Sequence, residues 1–318
     1  MIENSYDRHW KHDWIGEWYP IFYSLGEHTD MIFTRCSQNG HIEAVHYMDH
    51  ALYDGSGALQ ILTEQHHTPA QCLRSQENPR PSIIQQLQGI FQYLLDTKIC
   101  SIKWKGRNHE APGKRMTPLV YVMNVDQTNN LLARARARGV SLSIFILKCL
   151  DDSVRSLLQH PDAQNIWLLP VNMRASIQRC NPHSNHYSYV AVKVNPASEI
   201  GALDKQFKTA LGTGYFWAAW WGLLVGIVVG LAGMRKIIYK YHKKKHSWTG
   251  VLSNMGVWGN PDSVDVWAAC APVTRAHPVG VVFMTWNRQF SISMQVHPSL
   301  DSDGTIAPEL LRLLRQNL

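Results

Sequence analysis

The stretch that decides the fold is residues 46–57, HYMDHALYDGSG, which contains the spacing His50-x-x-x-Asp54-Gly55. Histidine suits general base catalysis because its pKa lies near the operating pH, so it can take up a proton and return it. An isolated histidine near a turn is more often an ordinary polar residue. The interpretation therefore depends on the sequence around this stretch.

The sequence just upstream predicts a β-hairpin. Two apparent strands, residues 31–36 and 41–50, flank the pair Asn39-Gly40, which is a strong signal for a tight hairpin turn. The histidine spacing is therefore predicted to begin at the end of a strand. Gly55 and Gly57 would then allow a tight turn into a helix over about residues 58–65.

Three further stretches with a recognisable pattern follow downstream, and a closing helix ends the sequence. For residues 119–158 the pattern predicts a strand and two helices, with RGVSL between the helices. Residues 166–174, IWLLPVNMR, and residues 250–259, GVLSNMGVWG, each predict a strand. Residues 307–318 predict a closing amphipathic helix.

In this order the four stretches resemble the CoA-dependent acyltransferase superfamily. That superfamily includes chloramphenicol acetyltransferase, the condensation domains of peptide synthetases, wax ester synthases and alcohol O-acetyltransferases. The His50 spacing is similar to its HHxxxDG motif, IWLLPVNMR to its PVxxR strand, and GVLSNMGVWG to its SN-x-G strand. The resemblance implies an α/β fold of two chloramphenicol-acetyltransferase-like subdomains with a cleft or tunnel between them.

We predict an N-terminal subdomain over residues 1–110 and a C-terminal subdomain over residues 111–318. The N-terminal subdomain is expected to be shortened, because only 45 residues precede His46. Asp49 stands where many relatives carry the first histidine of the pair. In the family the second histidine is the base, so this difference alone does not remove the chemistry.

The resemblance also implies roles for single residues. His50 would be the general base that removes the proton of the acceptor. Asp54 would pair with an arginine and hold the loop, with Arg174 as the candidate partner, and Gly55 would let the backbone turn where a side chain would clash. A turn aspartate and a surface arginine are the simpler interpretations of Asp54 and Arg174.

Acyl transfer also needs donors for the oxyanion that develops on the thioester carbonyl. By analogy with the family, Ser253 and Asn254 are the candidates. An ordinary hydrogen bond at a strand end explains the same two residues almost as well.

Composition limits the cofactors and partners. The six cysteines lie far apart with no C-x-x-C pair, which favours a reducing compartment and no zinc site. His41 and His46 would lie on opposite faces of a strand, so we expect no metal. No cofactor is expected beyond acyl-CoA or an acyl carrier protein as co-substrate.

The formal charge of +7 is local, because residues 205–261 hold eight Lys and Arg and no Asp or Glu. A local basic stretch argues against a nucleic-acid partner.

Residues 215–234, YFWAAWWGLLVGIVVGLAGM, contain no charge and are long enough for a membrane helix. Their aromatic start, the spacing GxxxGxxxG and the cations that follow up to residue 245 favour contact with a membrane. A helix that spanned the membrane would separate His50 from residues 250–259. A hairpin or interfacial helix that dips into one leaflet and a helix buried in the C-terminal subdomain both remain open. The N-terminus has no secretory h-region, so we expect a cytoplasmic, membrane-associated protein.

These patterns favour an acyltransferase that moves an acyl group from a thioester to a hydroxyl or amine acceptor. A lipidic substrate is one candidate. Two alternatives stay open. One is a non-enzymatic, membrane-associated binding or scaffold protein on a degenerate acyltransferase fold. The other is a free-standing condensation domain that forms amides.

Overall fold

The computed structural model describes residues 16–67, 69–74, 78–96, 102, 104–106, 117–177, 184–243 and 248–318. Within these ranges the strands are β1 (Met31–Cys36), β2 (Ile42–Met48), β3 (Gln71–Arg74), β4 (Leu119–Val122), β5 (Asn165–Asn172), β6 (Tyr187–Val194), β7 (Gly250–Gly259), β8 (Val266–Cys270), β9 (Val279–Trp286) and β10 (Gln289–Val296). The helices are α1 (Trp18–Ser24), α2 (Gly55–Gln65), α3 (Ile83–Asp96), α4 (Val125–Ala137), α5 (Leu142–Val154), α6 (Ile200–Gly212), α7 (Tyr215–Lys243) and α8 (Ile306–Asn317).

A small antiparallel sheet carries the His50 stretch. β1 and β2 form the predicted hairpin, which is confirmed by their pairing from Met31–Met48 towards the turn. Gly40 takes a φ of 79° there, and the Ser37 N–H donates to the His41 carbonyl at 2.9 Å. β8 pairs with the other edge of β1, which gives the order β2-β1-β8. β2 ends two residues before His50.

Packing of α2 on this small sheet fixes the start of the helix. Ala58, Leu59 and Leu62 are buried in one apolar cluster with Phe33 of β1 and Trp267 of β8. Burial of each such leucine contributes about 1.5–3 kcal/mol. The backbone just before α2, where Asp54 lies, is therefore held against the sheet.

The larger sheet has the order β4-β10-β9-β7-β5-β6, with β3 also paired to β7. β7 is parallel to both β5 and β9, but it pairs with β5 only at Gly250 and Val251. β3 pairs with the same edge of β7 from Val257 to Gly259. Between these positions residues 252–256 have no strand partner on that edge among the described residues. This opening in the sheet lies beside the predicted site.

The two sheets exchange strands along the sequence. β8 lies in the small sheet although it follows β7, and β3 lies in the large sheet although it precedes the predicted boundary. The predicted boundary between residues 110 and 111 falls outside the described residues. The division into residues 1–110 and 111–318 therefore stays a prediction.

The apolar segment 215–234 is not one straight helix. α7 bends by 103° between the arms Tyr215–Gly226 and Val228–Lys240. Gly230 has φ 60° and ψ 179°, outside helical geometry, and glycine tolerates this value because it has no Cβ. Among the described helices none alone has the length and composition to cross a bilayer, although the two arms together do. Gly230, the last glycine of the spacing, thus serves a bend.

Candidate active site

A tight turn between β2 and α2 directs His50 inward. The Asp49 carbonyl accepts from the N–H groups of Leu52 and Tyr53 at 3.1 and 3.2 Å, and the Asp49 carboxylate accepts from Ala51 at 2.8 Å. Asp49 is exposed, whereas His50 is only 8% exposed. Asp49 therefore stabilises the turn from the outside.

The His50 imidazole has a defined tautomer. Its Nδ1 lies 2.8 Å from the Tyr53 carbonyl oxygen, which can only accept, so Nδ1 carries the hydrogen. Asn185 Nδ2 donates to the His50 carbonyl at 2.6 Å, and this bond also brings it to 3.3 Å from Nδ1. Nε2 is left with the lone pair, which is the arrangement that a general base needs.

Two tyrosines border the imidazole. The ring centroids of Tyr19 and Tyr187 lie 4.5 and 5.3 Å from that of His50, and the two tyrosine hydroxyls share a hydrogen bond. Burial lowers the pKa of His50 below its usual 6.5, and the Tyr53 carbonyl and the charge of Asp54 oppose this only in part. The neutral form of the ring is therefore favoured.

Asp54 is saturated with hydrogen bonds. Arg174 donates to both of its oxygens, with distances of 2.7 Å from Nη1 to Oδ2 and 2.8 Å from Nη2 to Oδ1. The N–H groups of Gly57 and His186 donate to Oδ1 and Oδ2 at 3.0 and 2.9 Å, so Asp54 also caps α2. A carboxylate with four donors is suited to holding a loop and not to carrying protons.

Arg174 connects three parts of the chain. Besides its fork to Asp54, its Nη2 donates to the Ser184 carbonyl at 3.0 Å. Its backbone N–H donates to Asn172 Oδ1 at 3.0 Å, at the end of β5. The structure thus brings the start of α2, the end of β5 and the approach to β6 together through one guanidinium.

Gly55 faces a flexible side chain of the opposite strand. It is the first residue of α2, and its φ is not in the left-handed region. A Cβ at this position would come within 2.5 Å of Met255 Sδ on β7. The clash expected at Gly55 therefore comes from the opposite strand and not from the turn itself.

Ser253 and Asn254 lie on the part of β7 that has no strand partner on the β5 side. Asn254 is exposed, its Nδ2 donates to Ser143 Oγ at 3.1 Å, and its Oδ1 accepts from the Gly256 N–H at 2.8 Å. The pairing of β7 with β9 shifts register immediately after Asn254. Asn254 therefore stabilises a local irregularity of the strand, and one hydrogen of its amide remains for another acceptor.

One cavity of about 990 Å³ joins these elements. His50, Ser253 and Asn254 all line it, so the base and the oxyanion candidates border the same space. Its walls are mostly apolar, from β5, β7 and both arms of α7, with tyrosines 19, 93, 187 and 189 among the lining side chains. A cavity of this volume can hold an organic ligand of considerable size.

Some residues around His50 carried no sequence signal. Asn185 is fully buried and bonds to the His50 backbone, and Tyr19 and Tyr187 flank its ring. They come from segments far from the motif in sequence, so no local spacing connects them to it. In the described part of the chain, no cluster of three or more His, Cys, Asp or Glu side chains has metal-binding geometry.

A second histidine, His277, lines the same cavity. Its Nδ1 lies 3.1 Å from Thr274 Oγ1. Burial lowers the pKa of His277 to about 4, with the charge of Glu27 opposing and His297 and His50 adding to the effect. Glu27 itself is buried and bonds to His297 Nε2 at 2.9 Å.

The low pKa of His277 predicts a loss of stability in mild acid. The unfolded chain, in which this histidine titrates near 6.5, binds more protons than the folded chain as pH falls from 6.5 towards 4. Replacement of His277 by glutamine is expected to remove about 2 kcal/mol of the decline in unfolding free energy between about pH 7 and pH 5. Urea denaturation at pH 7 and at pH 5 measures the unfolding free energy of each protein. His160→Gln is the control, because His160 is exposed. An equal decline in the His277→Gln and wild-type proteins would contradict the prediction.

No protein-family model matches the chain, and no curated protein matches its sequence. Solved structures do match its architecture. A structure on condensation domain-mediated chain release from the enacyloxin polyketide synthase aligns with TM-score 0.54 and 11% identity, over 86% of this chain and 57% of that chain. The EpoB cyclization-docking bidomain of a nonribosomal peptide synthetase from Sorangium cellulosum gives 0.53 and 11%, over 86% and 59%. Polyketide synthase associated protein 5 from Mycobacterium tuberculosis gives 0.51 and 13%, over 87% and 73%.

These alignments establish the fold. The chain has the α/β architecture of condensation domains, as the resemblance to the CoA-dependent acyltransferase superfamily predicted. It spans less than two thirds of the first two of these structures.

Proposed function

We propose that this protein is an acyltransferase that moves an acyl group from a thioester to a hydroxyl or amine, with His50 as general base. One observation carries the proposal. His50 has its Nδ1 bound to the Tyr53 carbonyl and lines the cavity that Ser253 and Asn254 also line. A base with its lone pair on Nε2 and a possible oxyanion donor border one space.

The residues divide the reaction as follows. The acceptor hydroxyl or amine donates to His50 Nε2, and its oxygen or nitrogen attacks the thioester carbonyl as the proton moves to the imidazole. The negative charge moves to the carbonyl oxygen, where the Asn254 amide or the Ser253 hydroxyl donates to it. When the carbon–sulfur bond breaks, the electron pair leaves with the sulfur, and the imidazolium returns the proton to give a free thiol.

Asp54 and Arg174 do not exchange protons in this step; they hold His50 in position. Their fork holds the turn that carries His50 against the end of β5 and the segment that leads into β6. No covalent acyl-enzyme is required, because the thioester is already activated. The chain supplies orientation, a base and a largely apolar cavity.

The donor is either acyl-CoA or an acyl carrier protein. The solved structures concern a condensation domain in chain release from a polyketide synthase and a cyclization domain of a nonribosomal peptide synthetase. They favour a carrier-bound donor, and with an amine acceptor the product would be an amide. The apolar walls of the cavity favour an acyl chain or a lipidic acceptor and fit either donor.

The test measures thiol release from a panel of acyl-CoAs and acylated carrier proteins, each with alcohol and amine acceptors, and identifies products by mass spectrometry. We expect acceptor-dependent thiol release together with an ester or amide product. The variant to compare with the wild type is His50→Ala. Asp49→Asn is its matched control, because the asparagine side chain would keep the oxygen that accepts from Ala51 and position 49 lies outside the cavity lining. Tight binding of acyl-CoA without turnover for any acceptor would instead assign the cavity to a binding protein.

A further inference from the structure

Helix α3 exposes an apolar stripe. Ile83, Ile84, Leu87 and Phe91 are 75%, 69%, 62% and 66% exposed, and their spacing puts them on one side of the helix. Residues 83–95 contain no charged side chain. On an ordinary protein surface, large exposed apolar side chains are scattered singly, whereas these four form one contiguous patch along the helix.

The bend of α7 exposes a second apolar group. Trp221 and Val225 on the first arm are 45% and 40% exposed, and Val228 and Leu231 at the start of the second arm are 86% and 48% exposed. The bend between the arms turns the second arm away from the first, which leaves the bend itself at the surface.

The two helices adjoin. Trp221 Nε1 lies 3.4 Å from Gln86 Oε1 of α3. A Cβ on Gly89 of α3 would come within 2.7 Å of the Gly214 carbonyl, just before α7, so the backbones approach closely there. We name the exposed apolar side chains of both helices the α3–α7 surface, which comprises Ile83, Ile84, Leu87, Phe91, Trp221, Val225, Val228 and Leu231.

Positively charged side chains lie next to this surface, on the second arm of α7. Arg235, Lys236 and Lys240 lie on the second arm beyond Leu231, and all three are exposed. No acidic residue occurs between positions 205 and 261, so these cations have no counter-charge within that part of the sequence. Apolar side chains bordered by cations match an anionic lipid surface.

The same helices wall the cavity. Leu223 of the first arm and Ile238 of the second arm line it, as does Tyr93 on the side of α3 opposite its exposed stripe. A surface that docks on lipid through α3 and α7 would therefore bring the cavity wall next to the acyl chains.

We propose that the α3–α7 surface docks on an anionic phospholipid bilayer. The exposed apolar side chains enter the acyl region, and Arg235, Lys236 and Lys240 contact the phosphate groups. If the proposed acyl transfer is right, an apolar substrate reaches His50 from this side; the docking itself does not depend on that reaction.

The test is flotation of the protein with vesicles of phosphatidylcholine alone and with vesicles that also contain phosphatidylglycerol. We expect the wild type to float with the anionic vesicles. The double variants Leu87→Glu/Phe91→Glu and Val228→Glu/Leu231→Glu should each lower the bound fraction by about tenfold or more. Val264→Glu is the matched control, because Val264 is 73% exposed but lies outside the surface.

A further double variant separates the charge from the apolar contact. Lys236→Gln/Lys240→Gln should remove most of the preference for anionic vesicles and its sensitivity to salt. His50→Ala should float like the wild type, so failure of docking and failure of acyl transfer give different results.

Two outcomes would overturn the docking proposal. One is equal flotation of Leu87→Glu/Phe91→Glu and Val264→Glu. The other is a dimer in solution that these α3 changes convert to a monomer, with no flotation of the wild type. The latter result would assign the α3–α7 surface to a second copy of the chain.

Discussion

Replacement of His50 by alanine is expected to lower kcat for acyl transfer by about 10²–10⁴-fold, the usual contribution of a positioned general base. Nδ1 donates its hydrogen to the Tyr53 carbonyl, so Nε2 is the nitrogen that can accept the proton. The alanine side chain removes that acceptor and leaves the turn, whose other bonds come from Asp49 and Asp54. Thiol release in a stopped or continuous assay measures kcat and KM separately.

The pH profile gives an independent check on the same base. Because burial lowers the pKa of His50 below 6.5, kcat/KM of the wild type should rise with pH to a plateau, with its midpoint below 6.5. The residual activity of His50→Ala should lack this rise. Asp49→Asn should keep the plateau rate, and its midpoint should lie somewhat below that of the wild type, because the charge of Asp49 raises the pKa of His50. Unchanged kcat in His50→Ala would remove His50 from the chemistry even if the protein transfers acyl groups.

Features with a local signal could be predicted from the sequence. The hairpin of β1 and β2 follows from Asn39-Gly40, whose turn needs the positive φ that Gly40 adopts. The fold class followed from four short stretches in a known order, and the solved structures confirm it. Arg174 could be named as a partner of Asp54 only through the resemblance, because 120 residues separate them.

Features that depend on distant contacts could not be predicted. The pairing of β8 with β1, and of β3 with β7, joins segments more than 180 residues apart, and strand patterns do not specify such partners. The neighbours of His50, namely Tyr19, Asn185 and Tyr187, reach it through tertiary packing. The uncharged run 215–234 left a hairpin and a helix both open, because nothing local distinguishes a helical glycine from the bend at Gly230.

Loss of Asp54 is expected to cause the largest fall in stability of any single change at the site. Asp54→Ala leaves the partly buried Arg174 guanidinium without its fork, and it leaves the N–H groups of Gly57 and His186 without their acceptor. Removal of one partner of a buried ion pair typically costs about 3–5 kcal/mol. Urea denaturation at constant pH measures the free energy of unfolding, and Glu309→Ala, in the exposed pair with Arg312, is the control that should change it little.

Graded variants at the same pair distinguish the charge from the helix cap. Asp54→Asn keeps a side-chain oxygen that can cap α2, so it should cost less than Asp54→Ala, with the difference near the value of a cap, about 1 kcal/mol. In a double-mutant cycle with Arg174→Ala, the Asp54→Ala change should cost much less than it does alone, because the guanidinium that it would strand is already absent. Additive effects would mean that the fork contributes nothing beyond its two separate side chains. In that case the turn that carries His50 would have to be held by the small sheet and the bonds of Asp49 alone, and neither Asp54 nor Arg174 could be a positioning residue for the base.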